Sequence, residues 1–552
     1  MQKKWRVAER KDSDIKKHLM SRRGFGEADL NPPSPKEILP ELFDLFPQID
    51  KAVQLILKAA GEGRPLVIHG DYDADGISAT AILWEALYYD LGYKNTHPFI
   101  PNRFDHGYGL SKESLAQIEK DYPRALIITV DCGITSIKEV VAAKDKGFEV
   151  VVTDHHQPST GSGLTPGEKK PKADAILWTD KLSGAGIAWV LSQAFRVGSS
   201  KEEGLDLVAL ATIADIQPLT GFNRSLVKQG LLKLNQTQRV GLRELIKVSG
   251  IQGKKITPFE VGWVLAPRIN ASGRLKDAKE ALRLLVTTSK PQAFEVAAKL
   301  DTINRERQKL TLDQYELARQ KVLALDGLPN ILWVASPDFH EGIIGLVAGK
   351  LSREFYRPAV VAAVGKDQVK ASARSIPGVN IIELLRRLEH LSSSMGGHTG
   401  AAGFALAPGR VGEFADLLAH EAVGLDKHLF EPMLNIDAIL DSTEISFELL
   451  EFLESLSPFG EGNPTPRFAL EKVVLKDFKL LGASQTHLKM QIEAGAARFT
   501  ALWFSYPQDI KPSLKIGAVF DLAFIIKENR YNGKRELQLI VKDIKLKDAK
   551  NS

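Results

Sequence analysis

PLVIHGDYDADG, residues 65–76, passes from a short apolar run into a histidine and then three acids set between two glycines. A run of this length with turn signals at both ends reads as a buried strand of a parallel sheet, and Gly70 and Gly76 permit tight backbone turns just beyond it. Two further runs have the same form, ALIITVD at 125–131 and FEVVVTD at 148–154. Helical patterns at 77–91 and 134–146 alternate with them. That alternation predicts an α/β fold with a doubly wound parallel sheet.

Outward from this core, residues 1–48 are polar and proline-bearing and read as an N-terminal arm with short helices. The doubly wound domain is expected over 49–220, followed by a helical connector over 221–327. The connector contains one long helix, opened by Pro291 and stopped by Gly327, whose polar midsection suggests a bridge between two domains. A second, smaller α/β domain is expected over 328–424, with strands ILWVAS, AVVAAV and QVKASAR. Five alternating patterns follow within 425–552: KVVLKDFKLLG, HLKMQIEAG, RFTALWFSY, AVFDLAFIIKEN and ELQLIVKDIKL. They suit an OB-like β-barrel, with an immunoglobulin-like sandwich as the alternative.

In open α/β sheets ligands bind beyond the carboxyl ends of the strands. The three strands end in His69 with Asp73 and Asp75, in Asp131, and in Asp154-His155-His156, while Asp215 ends the apolar run LDLVALATIAD. One acid at such a position is often a helix N-cap. Four segments converging with at least five carboxylates would repel by several kcal/mol in a partly desolvated cleft, so cations are required. Two hard cations about 3.5–4 Å apart can activate water and neutralise phosphoryl oxygens, which makes phosphoester hydrolysis the natural chemistry. Mixed oxygen and imidazole donors favour Mn²⁺, with Mg²⁺ as a possible substitute. The run Gly345-Leu-Val-Ala-Gly349-Lys350-Leu351 lacks phosphate-loop spacing, so no nucleotide hydrolysis is implied.

Composition narrows the setting. With 552 residues, the chain exceeds what one core holds, and 44% hydrophobic with 26% charged content is ordinary for globular domains. No apolar run reaches the roughly 18–20 residues of a spanning helix, and the start MQKKWRVAERK lacks a signal-peptide apolar region. A cytoplasmic protein with no membrane partner is therefore expected. Cys132 is the only cysteine, which excludes an internal disulfide and a thiolate zinc cage. Beside Asp131 it reads as a packing residue rather than a nucleophile. Residues 471–552 carry 15 Lys+Arg against 9 Asp+Glu, so the net +5 of the chain resides there. This points to phosphate-backbone contact, with a solvated lysine-rich sheet edge as the alternative.

His69-x-x-x-Asp73-x-Asp75-Gly76, Asp131, Asp154-His155-His156 and Asp215 resemble the pattern of the DHH phosphoesterase superfamily. PNRFDHGYGL (101–110), PRINASGRL (267–275), FHEGIIGLVAGKL (339–351), ASARS (371–375), GGHTGAAGF (396–404) and PFGEGNPTPRF (458–468) narrow the resemblance to the bacterial RecJ family of single-strand-specific DNA exonucleases. It implies a DHH domain, a DHH-associated second domain, and two divalent cations. One cation would sit on His69, Asp73 and Asp131, the other on Asp75, Asp131, His155 and Asp215, with Asp131 as the bridge. Asp154 and His156 would then complete the catalytic set, Asp154 orienting an imidazole and His156 facing substrate phosphate.

On the substrate side, arginine forks match phosphate oxygens, and the candidates are Arg103, Arg268, Arg274 and Arg374 with Ser372 and His398. These arginines are read as lying in glycine- and asparagine-rich loops rather than helices. The resemblance implies that Arg103, Ser372 and Arg374 read a terminal 5′ phosphate and that Arg274 faces the strand, giving 5′ to 3′ release of mononucleotides in DNA repair and recombination. The glycine run 396–403 offers backbone amides to phosphate, or else forms a tight turn. Phe478, Trp503, Phe504 and Tyr531 are candidate base stackers, with core packing as the alternative. The expected partner is single-stranded DNA with a 5′ end, with a single-strand-binding protein and a helicase as candidate suppliers, and a monomer is expected. Two other readings stand beside this one: a DHH hydrolase of oligoribonucleotides or cyclic dinucleotides, and a non-catalytic DNA-binding scaffold.

Overall fold

The computed structural model describes residues 3–102, 105, 107, 109–158, 170–196, 203–482, 484–531 and 533–546. Arg103 therefore lies outside the described residues. The chain forms two compact units, one of Pro33–Phe430 with Gly460–Gly462, the other of Met1–Pro32, Glu431–Phe459 and Asn463–Ser552.

In the first sheet of the larger unit, five parallel strands lie in the order Thr96–Phe99, Leu66–Gly70, Leu126–Val130, Glu149–Asp154, Ala175–Trp178. Side-chain alternation divides the strands between two faces. Leu66, Ile68, Leu126, Ile128, Val130 and Val151 join the core beneath helices Ala74–Glu85, Gly184–Gln193 and Leu205–Ala214. Val67, Ile127, Val150 and Val152 join the opposite core, with Leu115 and Ile118 of Lys112–Asp121 and Val140 and Ala143 of Ile137–Asp145. Burial on both faces explains why the central strands read as continuous apolar runs. The strand order reverses between Leu66–Gly70 and Leu126–Val130, and this switch point opens the crevice in which such sheets bind ligands.

The long helix is Lys290–Leu323, 34 residues with Pro291 in its first turn and Ser289 capping it. Its first half buries Ala293, Val296, Ala297 and Leu300 in the core of the first sheet. Its second half buries Ala318 and Val322 against Leu332, Val347 and Leu351 of the second domain. The polar midsection between them is thus the bridge expected from the sequence. The second sheet has the order Ser392–His398, Ala401–Leu406, Val369–Arg374, Ala359–Val364, Leu332–Ser336, with only the last pair parallel.

In the smaller unit, Phe468–Leu481, His487–Ala494, Ala497–Trp503, Lys534–Leu546 and Val519–Tyr531 pair in that order. Val519–Tyr531 returns to pair with Phe468–Leu481. That closure makes a barrel and rules out the sandwich. Strand Lys4–Val7 pairs with Met433–Ile436 in the same unit, and Trp5 Nε1 donates to Asp543 Oδ2 at 2.8 Å. Of the candidate stackers, Trp503 is in the barrel core and Phe478 packs against it, whereas Phe504 is 56% exposed. The side chain of Tyr531 lies outside the described residues. Among the described residues, no helix is long and apolar enough to cross a membrane.

Candidate metal centre

The loop after Leu66–Gly70 is folded tightly onto the following helix. Asp73 caps Ala74–Glu85, its Oδ1 accepting from the N–H groups of Asp75 and Gly76 at 2.9 and 3.1 Å. A Cβ on Gly76 would stand 2.6 Å from both Asp71 N and Asp71 O, so only glycine lets the loop close. Asp75 is buried, and its two oxygens accept from Gly184 N and Ala185 N at 2.7 Å each. These N–H groups open helix Gly184–Gln193, whose positive end suits a carboxylate.

Asp131 has φ 61°, left-handed and unusual for a residue with a Cβ. A Cβ on Gly184 would lie 2.4 Å from Asp131 Cβ, so the helix start is pressed directly against this acid. His155, just past Glu149–Asp154, brings Nε2 within 3.0 Å of Asp131 Oδ1, 3.6 Å of Asp215 Oδ2 and 3.7 Å of Asp75 Oδ2. Asp215 ends helix Leu205–Ala214, so the apolar run before it is a helix directed at the strand ends. Three groups of donors lie within 4.8 Å of one another: Asp131, His155 and His156; Asp75, His155 and Asp215; Asp71, Asp73 and Asp131. Asp71 was missed by the sequence reading, although the alternation Asp71-x-Asp73-x-Asp75 carries it. His69 stands outside these three groups, buried, stacked on Phe99 at 5.3 Å, with Nδ1 3.7 Å from Cys132 Sγ. Gln217, also not anticipated, donates to Asp215 Oδ2 at 2.7 Å and lies 3.2 Å from His155 Nδ1.

Burial first, and then the charges of Asp215 and Asp73, push Asp75 well above the usual carboxylate range. Burial, followed by Asp75, Asp73, Asp71 and Asp215, does the same to Asp131. Burial and Asp73 raise Asp215 to about 6. Burial and the neighbouring His156 lower His155 to about 4, leaving a neutral imidazole with a lone pair to offer. Asp131 Oδ1 and His155 Nε2 are buried and face each other at 3.0 Å without a hydrogen bond. Among the described residues, no Lys or Arg makes an ion pair with Asp75, Asp131 or Asp215. Excess negative charge and lone pairs directed at one point fit divalent cations with oxygen and nitrogen ligands.

Asp154 has a different part. Its Oδ2 accepts from Ile134 N at 2.8 Å, and its Oδ1 accepts from the N–H groups of His155 and His156 and meets His156 Nδ1 at 2.8 Å. Burial alone would lower His156, but the bond and charge of Asp154 outweigh it and raise the imidazole to about 9. The imidazole it orients is thus the charged His156. Burial, then Asp154 and Asp71, push the Cys132 thiol well up, in keeping with packing.

Arg268, Arg274 and Arg374 are not in loops. Arg268 and Arg274 lie on helix Ala266–Leu275, which Pro267 opens. Its Asn and Gly serve packing: Asn270 Oδ1 accepts from Ala74 N at 2.7 Å, and a Cβ on Gly273 would stand 2.6 Å from Tyr72 O. Arg268 is bound to Asp301 Oδ1 and Val264 O at 2.9 and 2.7 Å, so its charge is balanced within the helical scaffold. Ser372 and Arg374 share one face of strand Val369–Arg374, Arg374 Nη1 donating to Ser372 Oγ at 3.1 Å. His398 ends strand Ser392–His398, where desolvation, then Arg374 and His156, lower its pKa. The glycine run forms the tight hairpin turn, His398 pairing with Ala401.

Family models describe the same architecture: "DHH family, N-terminal domain" matches residues 65–212, "DHHA1 domain" residues 328–423, and "RecJ OB domain" residues 436–543. The fold and its acid-lined switch point are those of the DHH class of α/β proteins. The single-stranded-DNA-specific exonuclease RecJ of Bacillus subtilis is 34% identical over 538 residues, 95% of this chain and 67% of that protein. That of Escherichia coli is 31% identical over 564 residues, covering 96% and 95%. The crystal structure of RecJ from Thermus thermophilus in complex with Mn²⁺ matches with a TM-score of 0.83 at 30% identity, covering 99% of this chain and 80% of that one. Its Mg²⁺ complex matches with a TM-score of 0.76. The chain belongs to the RecJ family.

Proposed function

We propose that the protein is a metal-dependent exodeoxyribonuclease that releases mononucleotides from the 5′ end of single-stranded DNA. The observation that carries this reading is the convergence of Asp75, Asp131 and Asp215 at 3.0–3.7 Å from His155 Nε2, in a chain whose relatives are named single-stranded-DNA-specific exonuclease RecJ. Two divalent cations, Mn²⁺ before Mg²⁺, would be held by Asp73, Asp75, Asp131, His155 and Asp215 with His69 or Asp71 completing the set. Bound there, they would neutralise phosphoryl oxygens and activate water at neutral pH. Asp131 is shared by two of the three groups and would be the bridge. His156, kept protonated by Asp154, places a positive N–H donor beside the reacting phosphodiester. Ser372 and Arg374, with Arg103, hold the terminal 5′ phosphate, and Arg274 and His398 line the path between.

The basic barrel gives a further grip on the strand, which a dinucleotide hydrolase would not need, and the filled acid and imidazole set speaks against a silent scaffold. The enzyme acts in the cytoplasm in DNA repair and recombination, as a monomer, on strands exposed by a helicase or coated by single-strand-binding protein. The test is incubation with Mn²⁺ and end-labelled single strands, duplexes and short RNAs. Mononucleotides should leave the 5′ end of single-stranded DNA, blunt duplex should react weakly, and Asp131→Ala should be inactive. Equal rates on single and double strands would sink the selectivity, and an active Asp131→Ala would remove the bridge.

A further inference from the structure

Helix Ala266–Leu275 packs along Lys290–Leu323. Arg268 Nε donates to Asp301 Oδ1 at 2.9 Å, and Lys276 Nζ comes within 3.8 Å of Glu306 Oε2. The charges of Arg274 and Arg268 both bear on Arg307, so the three guanidiniums lie near one another. Asp301 is shared between Arg268 and Arg305. Among the described residues, no carboxylate pairs with Arg307 or Arg374. Arg307 Nε and Nη2 both donate to Asn304 Oδ1, at 3.1 and 2.9 Å. That contact fixes the amide orientation, since the oxygen must face the guanidinium. Asn304 Nδ2 is then a donor in a side chain only 1% exposed, and it has no hydrogen-bond partner.

The segment 342–345 ties this helix face to the second domain. A Cβ on Gly342 would lie 2.1 Å from Arg274 O, and one on Gly345 would lie 2.9 Å from Arg374 Nη2. Burial, then Arg274 and Arg268, lower Arg307 to about 10, and burial with Arg274 lowers Arg374 to about 10. A guanidinium at Arg307 with no carboxylate on it, beside the unspent buried amide donor of Asn304, calls for an anion. The Arg274 helix also packs on the loop of the metal centre through Asn270 and Gly273. With the terminal phosphate on Arg374 and the first linkage, the one cleaved to free a mononucleotide, at that loop, the linkages beyond it are the ones left to meet this face.

We propose that Arg307 and Asn304 form a subsite for one internal phosphodiester of the bound single strand, separate from the terminal-phosphate contacts of Ser372 and Arg374. The subsite rests on the exonuclease reading. Its test uses the full-length protein with Mn²⁺, Arg307→Gln and Arg307→Lys, and oligonucleotides carrying one uncharged methylphosphonate at successive linkages. Arg307→Gln should raise KM about tenfold with kcat little changed, and lower the log–log salt slope of strand binding by about 0.7. Arg307→Lys should recover part of the affinity. Wild type should lose affinity at one particular neutralised linkage, and Arg307→Gln should be indifferent to that linkage alone while still preferring 5′-phosphorylated over 5′-hydroxyl ends. Loss of that end preference, or an equal further loss at every linkage, would overturn the subsite. If the wild type degrades no single strands, the exonuclease reading fails. Calorimetry with tripolyphosphate then decides the subsite: binding by wild type and not by Arg307→Gln upholds it, and equal binding overturns it.

Discussion

Asp215 shows what a single residue contributes before any cation arrives. Burial and Asp73 raise it from an ordinary 3.8 to about 6, so the folded chain without metal holds this proton more tightly than the unfolded chain does. By linkage, the carboxyl stabilises the fold below its unfolded value, and that contribution is lost as the pH rises through about 6. In chelator, the Tm of wild type relative to Asp215→Asn should therefore fall between about pH 4 and 6.5 and level off above it. Adding Mn²⁺ should restore the wild-type advantage at the upper end, because the cation takes the place of the proton. A gap in Tm that ignores both pH and Mn²⁺ would take Asp215 out of the centre. The acid was visible in the sequence because it ended an apolar run. Its neighbour Gln217 was not, since a glutamine beyond a helix end carries no signal until His155 is found beside it.

At the scale of elements, the site is a matter of where helices begin and end. Helix Gly184–Gln193 abuts Asp131 and gives its first two N–H groups to Asp75, so its position sets both acids. Gly184→Ala must push the helix or Asp131 aside, at a cost of about 1–3 kcal/mol for overpacking, and calorimetry should show weakened Mn²⁺ binding. Gly186→Ala is the comparison, since its Cβ would meet Leu182 Cβ at 3.2 Å and nothing of the centre. It should keep the Mn²⁺ affinity, and equal losses in both variants would mean general instability. Element type was legible where periodicity was strong, as in the three central strands and the long helix. It misled at PRINASGRL, where glycine and asparagine suggested a loop but serve close helix packing against Tyr72 and Ala74. The edge strands Thr96–Phe99 and Ala175–Trp178 were not read at all, being four residues each and half-buried.

At the scale of the molecule, the two compact units have separate cores. A fragment of residues 33–430 should keep Mn²⁺ binding, because every donor group named lies within it. It should bind single-stranded DNA more weakly and with a flatter salt dependence, since the basic barrel is gone. Full strand affinity in the fragment would remove the barrel from binding. By itself the sequence determined the parallel sheet, the long bridge, the barrel strands and the acids and histidines at strand ends, because periodicity and strand-end chemistry are written in neighbouring residues. Only the tertiary structure placed Asp71 beside Asp73 and Asp131, set His69 against Phe99 and Cys132, bound Arg268 to Asp301, and brought Arg307 near Arg274. Those outcomes depend on distances between segments far apart in the chain, which packing sets and local pattern does not encode.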